Sequence, residues 1–280
     1  MPAPGRIRVG VVAGVATLAS VEVARRSTAF AGSSWVRRNH RGHDVNLVAG
    51  PITALTATIA GAGLLPARFR RPALLLGLVG GAVGRYDDVL GARRGLAADK
   101  GFRGHLSALR SGRVSTGALK VVGLVGASIA AAGPVSRGPV DRIVAAGIMA
   151  GTANLVNLLD LRPGRAAKAT ALASAATLGG PTSGLSAAVL ATSLGVLPAD
   201  LGEKVMLGDA GANALGALVG FRLVAGAGPA ARAATLAVLV LLTAASEKVS
   251  FTRVIEATPG LRNLDNWGRL KLDAATAAGT

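Results

Sequence analysis

The chain has no cysteine, which excludes disulfides and thiolate-held metals. Aromatic residues are scarce, at 3%. Few rings are therefore available to stack on bases, which argues against nucleic acid as the partner of a basic protein. Charged residues make up only 16% of the chain, against roughly 25% in soluble domains. Acids are the rarer kind, 14 against 31 lysines and arginines, for a net charge of +17. A cluster of carboxylates in such a chain is informative. The three histidines, His40, His43 and His105, have no recognisable metal-ligand spacing. No nucleophilic serine motif, Walker sequence or dinucleotide fingerprint occurs.

What is present is apolar. Half of the 280 residues are hydrophobic (51%), and the mean hydropathy is +0.50. The apolar residues fall in runs of roughly 17–20, the length that crosses a bilayer. Nine runs are predicted at about 7–24, 46–65, 72–89, 117–135, 142–159, 168–181, 184–200, 212–228 and 231–249, of which 168–181 is short for a crossing and is expected to be tilted, broken or interfacial. The first lacks a cleavage site and is expected to be a retained helix. Lysine and arginine concentrate on one side of the alternating segments, which orients the chain with its N-terminus outside and its C-terminus cytoplasmic. Arg68, Arg70 and Arg71 fall on the opposite side from most. The expected fold is an all-α polytopic membrane protein of nine transmembrane helices. Residues 1–249 form the membrane domain and 250–280 a cytoplasmic tail.

Under this topology the carboxylates gather at the cytoplasmic face. Asp87 and Asp88 close the third apolar run. Acids are unfavourable at a helix C-terminus, so two adjacent ones require a cation nearby. Hard oxygen donors at a membrane surface suit Mg²⁺ bound together with phosphate. Asn154, Asn157 and Asp160 recur at i, i+3 and i+6, along one helical face at the end of the fifth run. The asparagines could bind substrate or simply join helices. Gly208-Asp209-Ala210-Gly211 opens the eighth run. A helix start there suits phosphate and a metal-binding Asp209, although Asp209 as a plain helix cap explains much of it. Lys100, Arg103 and His105 follow the Asp87–Asp88 pair and could hold pyrophosphate. Gly77, Gly80, Gly81 and Gly84 give the third helix a small face for close packing.

Taken together, Asn39–Pro51, Tyr86-Asp87-Asp88, Asn154–Gly164 and Gly208–Gly216 resemble the polyprenyl-phosphate N-acetylhexosamine-1-phosphate transferases. That family includes phospho-N-acetylmuramoyl-pentapeptide transferase. The resemblance implies transfer of a sugar-1-phosphate from a UDP-amino sugar to a polyprenyl phosphate, releasing UMP. The reaction would take place at the cytoplasmic face of the plasma membrane, in cell-envelope synthesis such as that of peptidoglycan. It implies Mg²⁺ as cofactor, Asp87 and Asp88 as catalytic acids, and Asp160 and Asp209 as metal ligands. Asn154, Asn157, Lys100, Arg103 and His105 would bind substrate, and a homodimer is compatible with this reading. Three positions depart from the family pattern: Gly91 replaces a lysine, Pro163 replaces an acid, and residues 247–271 contain no histidine. The departures motivate an alternative, an inactive member that binds lipid phosphate or acts as a scaffold.

Overall fold

The structure is a computed structural model, and it describes residues 3–94 and 116–270. The described residues form eleven α-helices and one small sheet. In order they are α1 (Ala3–Arg26), β1 (Val36–Arg38), β2 (Asp44–Asn46), α2 (Ala49–Leu64), α3 (Ala67–Arg94) and α4 (Thr116–Ala132). There follow α5 (Pro139–Leu159), α6 (Arg165–Ala175), α7 (Ser183–Leu201), α8 (Gly208–Ala225), α9 (Pro229–Ser246), α10 (Phe251–Ala257) and α11 (Pro259–Asn266).

Each of the nine predicted apolar runs falls on one of α1 to α9. Five of these helices, α1, α4, α5, α7 and α9, are long and apolar enough to cross a membrane. Helix α2 has 16 residues and α6 only 11, while α3 and α8 carry charges within their length. The outer helices expose broad apolar surfaces, such as Val11, Val12 and Val15 on α1 and Val238, Val240 and Leu241 on α9.

Helix α8 is the centre of the bundle, packed against α5, α3 and α2, with nearly every residue buried. Half of its 18 residues are alanine or glycine. Lipid gives apolar helices no hydrophobic reason to associate, so dispersion at close range must hold them, and small side chains allow it. Of the expected small face of α3, Gly80 and Gly84 meet α8, while Gly77 and Gly81 meet α2. A Cβ on Gly84 would lie 2.2 Å from the carbonyl oxygen of Asp209, so only glycine lets the two backbones approach.

The two ends of the bundle are chemically different. At one, the Arg232 guanidinium donates to both oxygens of Asp141 at 2.8 Å and caps the end of α8 through the Val224 carbonyl. The other end holds Asp87, Asp88 and Asp209.

Two elements depart from the expected nine helices and tail. The loop after α1 contains a hairpin, pairing Val36 with Asn46, Arg37 with Val45 and Arg38 with Asp44. Its turn is held by Asn39, whose side-chain oxygen accepts from the N–H groups of Arg41 and His43 at 2.8 and 3.0 Å. This local bonding gives a polar, arginine-rich segment a fixed shape without an apolar period. The hairpin is tied to the segment before α8 by the Met206 N–H, which donates to the Asn46 carbonyl at 3.0 Å. The second element is the chain after α9, where α10 and α11 dock on α6. There Arg165 forms a two-pronged pair with Asp265, at 2.8 and 2.9 Å.

Candidate functional site

Asp88 faces inward from α3 and is 1% exposed. Its two oxygens accept from the backbone N–H groups of Asp209 at 3.1 Å and Ala210 at 3.2 Å. Those amides open the first turn of α8, where unpaired donors and the helix dipole favour an anion. The approach depends on Gly208, which has φ +59° and a position where a Cβ would lie 2.9 Å from the Asp88 carboxylate. The Arg37 guanidinium, from the hairpin, stands 3.4 Å from the same carboxylate. Arg85, one turn earlier on α3, lies over the Trp35 ring at 3.6 Å and donates to the Ser34 carbonyl. It fixes the hairpin against α3.

Asp87 points elsewhere, as adjacent helical residues must. Its carboxylate is 3.0 Å from the ammonium of Lys120 on α4, which also contacts Asp209 at 2.5 Å. One lysine therefore bridges acids from α3 and α8. All three side chains remain partly accessible, at 16–19% exposure. No protein-family model matches the chain, and no curated protein matches it at a significant level.

Asp160 ends α5 and is 4% exposed. Burial, reinforced by the charges of Asp200, Asp209 and Asp88, pushes its carboxyl well above the usual range. It lines a cavity of about 280 Å³ between the hairpin and the segments after α5 and α7. Arg37, His40, Arg162, Asp200 and Glu203 also line it. Burial and the nearby Arg162 lower the pKa of His40. Glu203, at positive φ, is held by Asn39 at 2.7 Å and Arg41 at 2.8 Å.

The structure thus brings Asp87, Asp88 and Asp209 together and sets Asp160 near enough to feel their charge. Asn154 and Asn157 are half-buried on α5. Lys100, Arg103 and His105 lie outside the described residues.

Sequence reasoning missed Lys120, Asp200 and the specific role of Arg37. Lys120 had a usable signal, a lone cation in an apolar run, which marks function by default. Arg37 was indistinguishable from the other loop cations.

The donor set does not fit a divalent ion as arranged. Among the described residues, no three histidine or acid side chains are grouped to hold one. Lys120 occupies the space between Asp87 and Asp209, and Asp88 is committed to the amides of α8. The arrangement sets two cations, Lys120 and Arg37, among three carboxylates, Asp87, Asp88 and Asp209.

Proposed function

We propose that the protein transfers a sugar-1-phosphate from a UDP-sugar to a polyprenyl phosphate, releasing UMP. In this reading α1 to α9 are nine crossings with the N-terminus outside, and the acids lie at the cytoplasmic face. The observation that carries it is the Asp87–Lys120–Asp209 bridge beside Asp88 on the amides of α8. Such a group meets the needs of phosphoryl transfer, which is mostly positioning and charge compensation. The acceptor phosphate oxygen attacks the sugar-bearing phosphorus, and the bond to the UMP oxygen breaks. Asp87, the more accessible of the pair, takes the proton of the acceptor phosphate. Lys120 and Arg37 compensate charge on the phosphates. Asp88 is a positioning residue that fixes α3 to α8.

The family resembled uses Mg²⁺. Because Lys120 stands between Asp87 and Asp209, none of these steps is assigned to the ion. Full-length protein, undecaprenyl phosphate and a panel of UDP-sugars, with and without Mg²⁺, should release UMP. No UMP from any donor, or undiminished release by Asp87→Asn, would sink the proposal. The closed Lys120 bridge also favours a second reading, a non-catalytic binder of lipid phosphate. Copurified lipid phosphate without turnover would select it.

A further inference from the structure

The cavity beside the acid group has an unusual floor. Asp160 and Asp200 both line it, and they are 4% and 2% exposed. Each has one carboxylate oxygen, Oδ2, that is buried and has no hydrogen-bond partner. The backbone supplies each with one N–H, from Gly208 and Gly164 respectively. Lys168 and Arg269, whose charges act on Asp200, are engaged elsewhere. Lys168 donates to the carbonyls of Leu264, Asp265 and Trp267 at 3.0, 2.8 and 2.6 Å. Arg269 donates to the Pro163 carbonyl at 2.9 Å and to Asp265 at 2.6 Å. Two buried carboxyl groups from different helices therefore line one cavity, each with one oxygen unpaired.

The mouth is the reverse. Arg37, Arg38 and Arg162 line it, and Arg38 and Arg162 have only loose ion pairs, at 3.6 Å, with Asp44 and Glu256. Burial favours the neutral form of Asp160, a state that a ligand cation would reverse, so the floor suits an N–H donor that carries positive charge. Guanidinium groups at the mouth suit phosphate. The volume is near the lower end for small-molecule sites, on the order of 300 Å³. The sugar-phosphate portion of a nucleotide-linked sugar is of that size.

We propose that this cavity binds a phosphorylated amino sugar through a free amine held by Asp160 and Asp200, with the phosphate at Arg37, Arg38 and Arg162. The inference rests on the sugar-phosphate reading above and specifies the sugar. An N-acetylated amine has no charge to set against the two buried acids.

Binding tests it without turnover. Full-length protein in detergent is titrated calorimetrically with glucosamine 1-phosphate, N-acetylglucosamine 1-phosphate, inorganic phosphate and MgCl₂ alone. The free amine should bind roughly ten-fold or more tightly than the acetylated sugar, the worth of a charged hydrogen bond. Asp200→Asn and Asp160→Asn should each shrink that ratio, while Arg162→Gln weakens both sugars alike. Equal or tighter binding of the acetylated sugar by the wild-type protein overturns the proposal. So does Mg²⁺ alone binding at the acids and being lost in Asp200→Asn. If neither variant folds, the wild-type ratio decides. Amine selectivity without UMP release in the transfer assay would overturn the transferase reading and leave this one standing. Transfer from acetylated donors without amine selectivity would do the opposite.

Discussion

The Asp88 carboxylate accepts the backbone N–H of Asp209 at 3.1 Å, so the end of α3 serves as the anion at the start of α8. This contact joins two helices whose acids are 121 residues apart in sequence. It also divides the adjacent pair: Asp88 holds the architecture, and Asp87 is left to face Lys120.

Replacing Asp88 by alanine would leave two buried amides and Arg37 without their acceptor. The expected cost is about 1–3 kcal/mol, with Asp88→Asn recovering part of it. Unfolding in mixed micelles by SDS titration measures both. Equal stability of Asp88→Ala and the wild type would show that the contact is not structural.

Lys120→Gln should reduce UMP release by about 10²-fold, the usual loss when a charge-stabilising donor is removed. The same variant frees two carboxylates. It should therefore bind Mn²⁺ more tightly than the wild type, as read by electron paramagnetic resonance of the free ion. Unchanged Mn²⁺ affinity would mean that Lys120 does not occupy a cation position.

Gly84→Ala would push α3 away from α8, since the new Cβ meets the Asp209 carbonyl. Overpacking of this kind costs about 1–3 kcal/mol. The variant should lose stability and UMP release together, whereas Gly63→Ala, where a Cβ meets nothing, should lose neither.

The C-terminal helices carry a pH dependence. Burial raises the Asp265 pKa, but hydrogen bonds and charge from Arg165 and Arg269 outweigh it and hold the carboxyl below its ordinary value. A depressed carboxyl stabilises the fold above its unfolded pKa of 3.8, and that contribution is lost as pH falls through the folded value. Limited proteolysis of α10 and α11 should stay slow from neutral pH down to about 4 and accelerate below it. Asp265→Asn leaves Arg165 buried without its partner, at a cost of about 3 kcal/mol. It should make the segment protease-sensitive at pH 7.

Much of the helical framework was legible because apolar runs of the right length have few alternatives. The acids were legible because carboxylates are rare in such a chain and costly at the end of an apolar helix. Lys120 was overlooked as an isolated charge. Its meaning comes from standing opposite two acids on other helices. The hairpin was hidden because side-chain bonds from Asn39, and not an apolar period, shape it. Asp200 was hidden for a related reason, since nothing in Leu197-Pro198-Ala199-Asp200 says that the acid points into the protein.

By itself, the sequence determined the helices, the small face of α3 and the acids worth following, because length, side-chain size and charge are local properties. Only the tertiary structure decided that Asp88 caps α8, that Lys120 closes on Asp87 and Asp209, and that Asp160 and Asp200 share a cavity. These are distances between residues far apart in the chain, set by how closely glycine and alanine let α3, α5 and α8 pack.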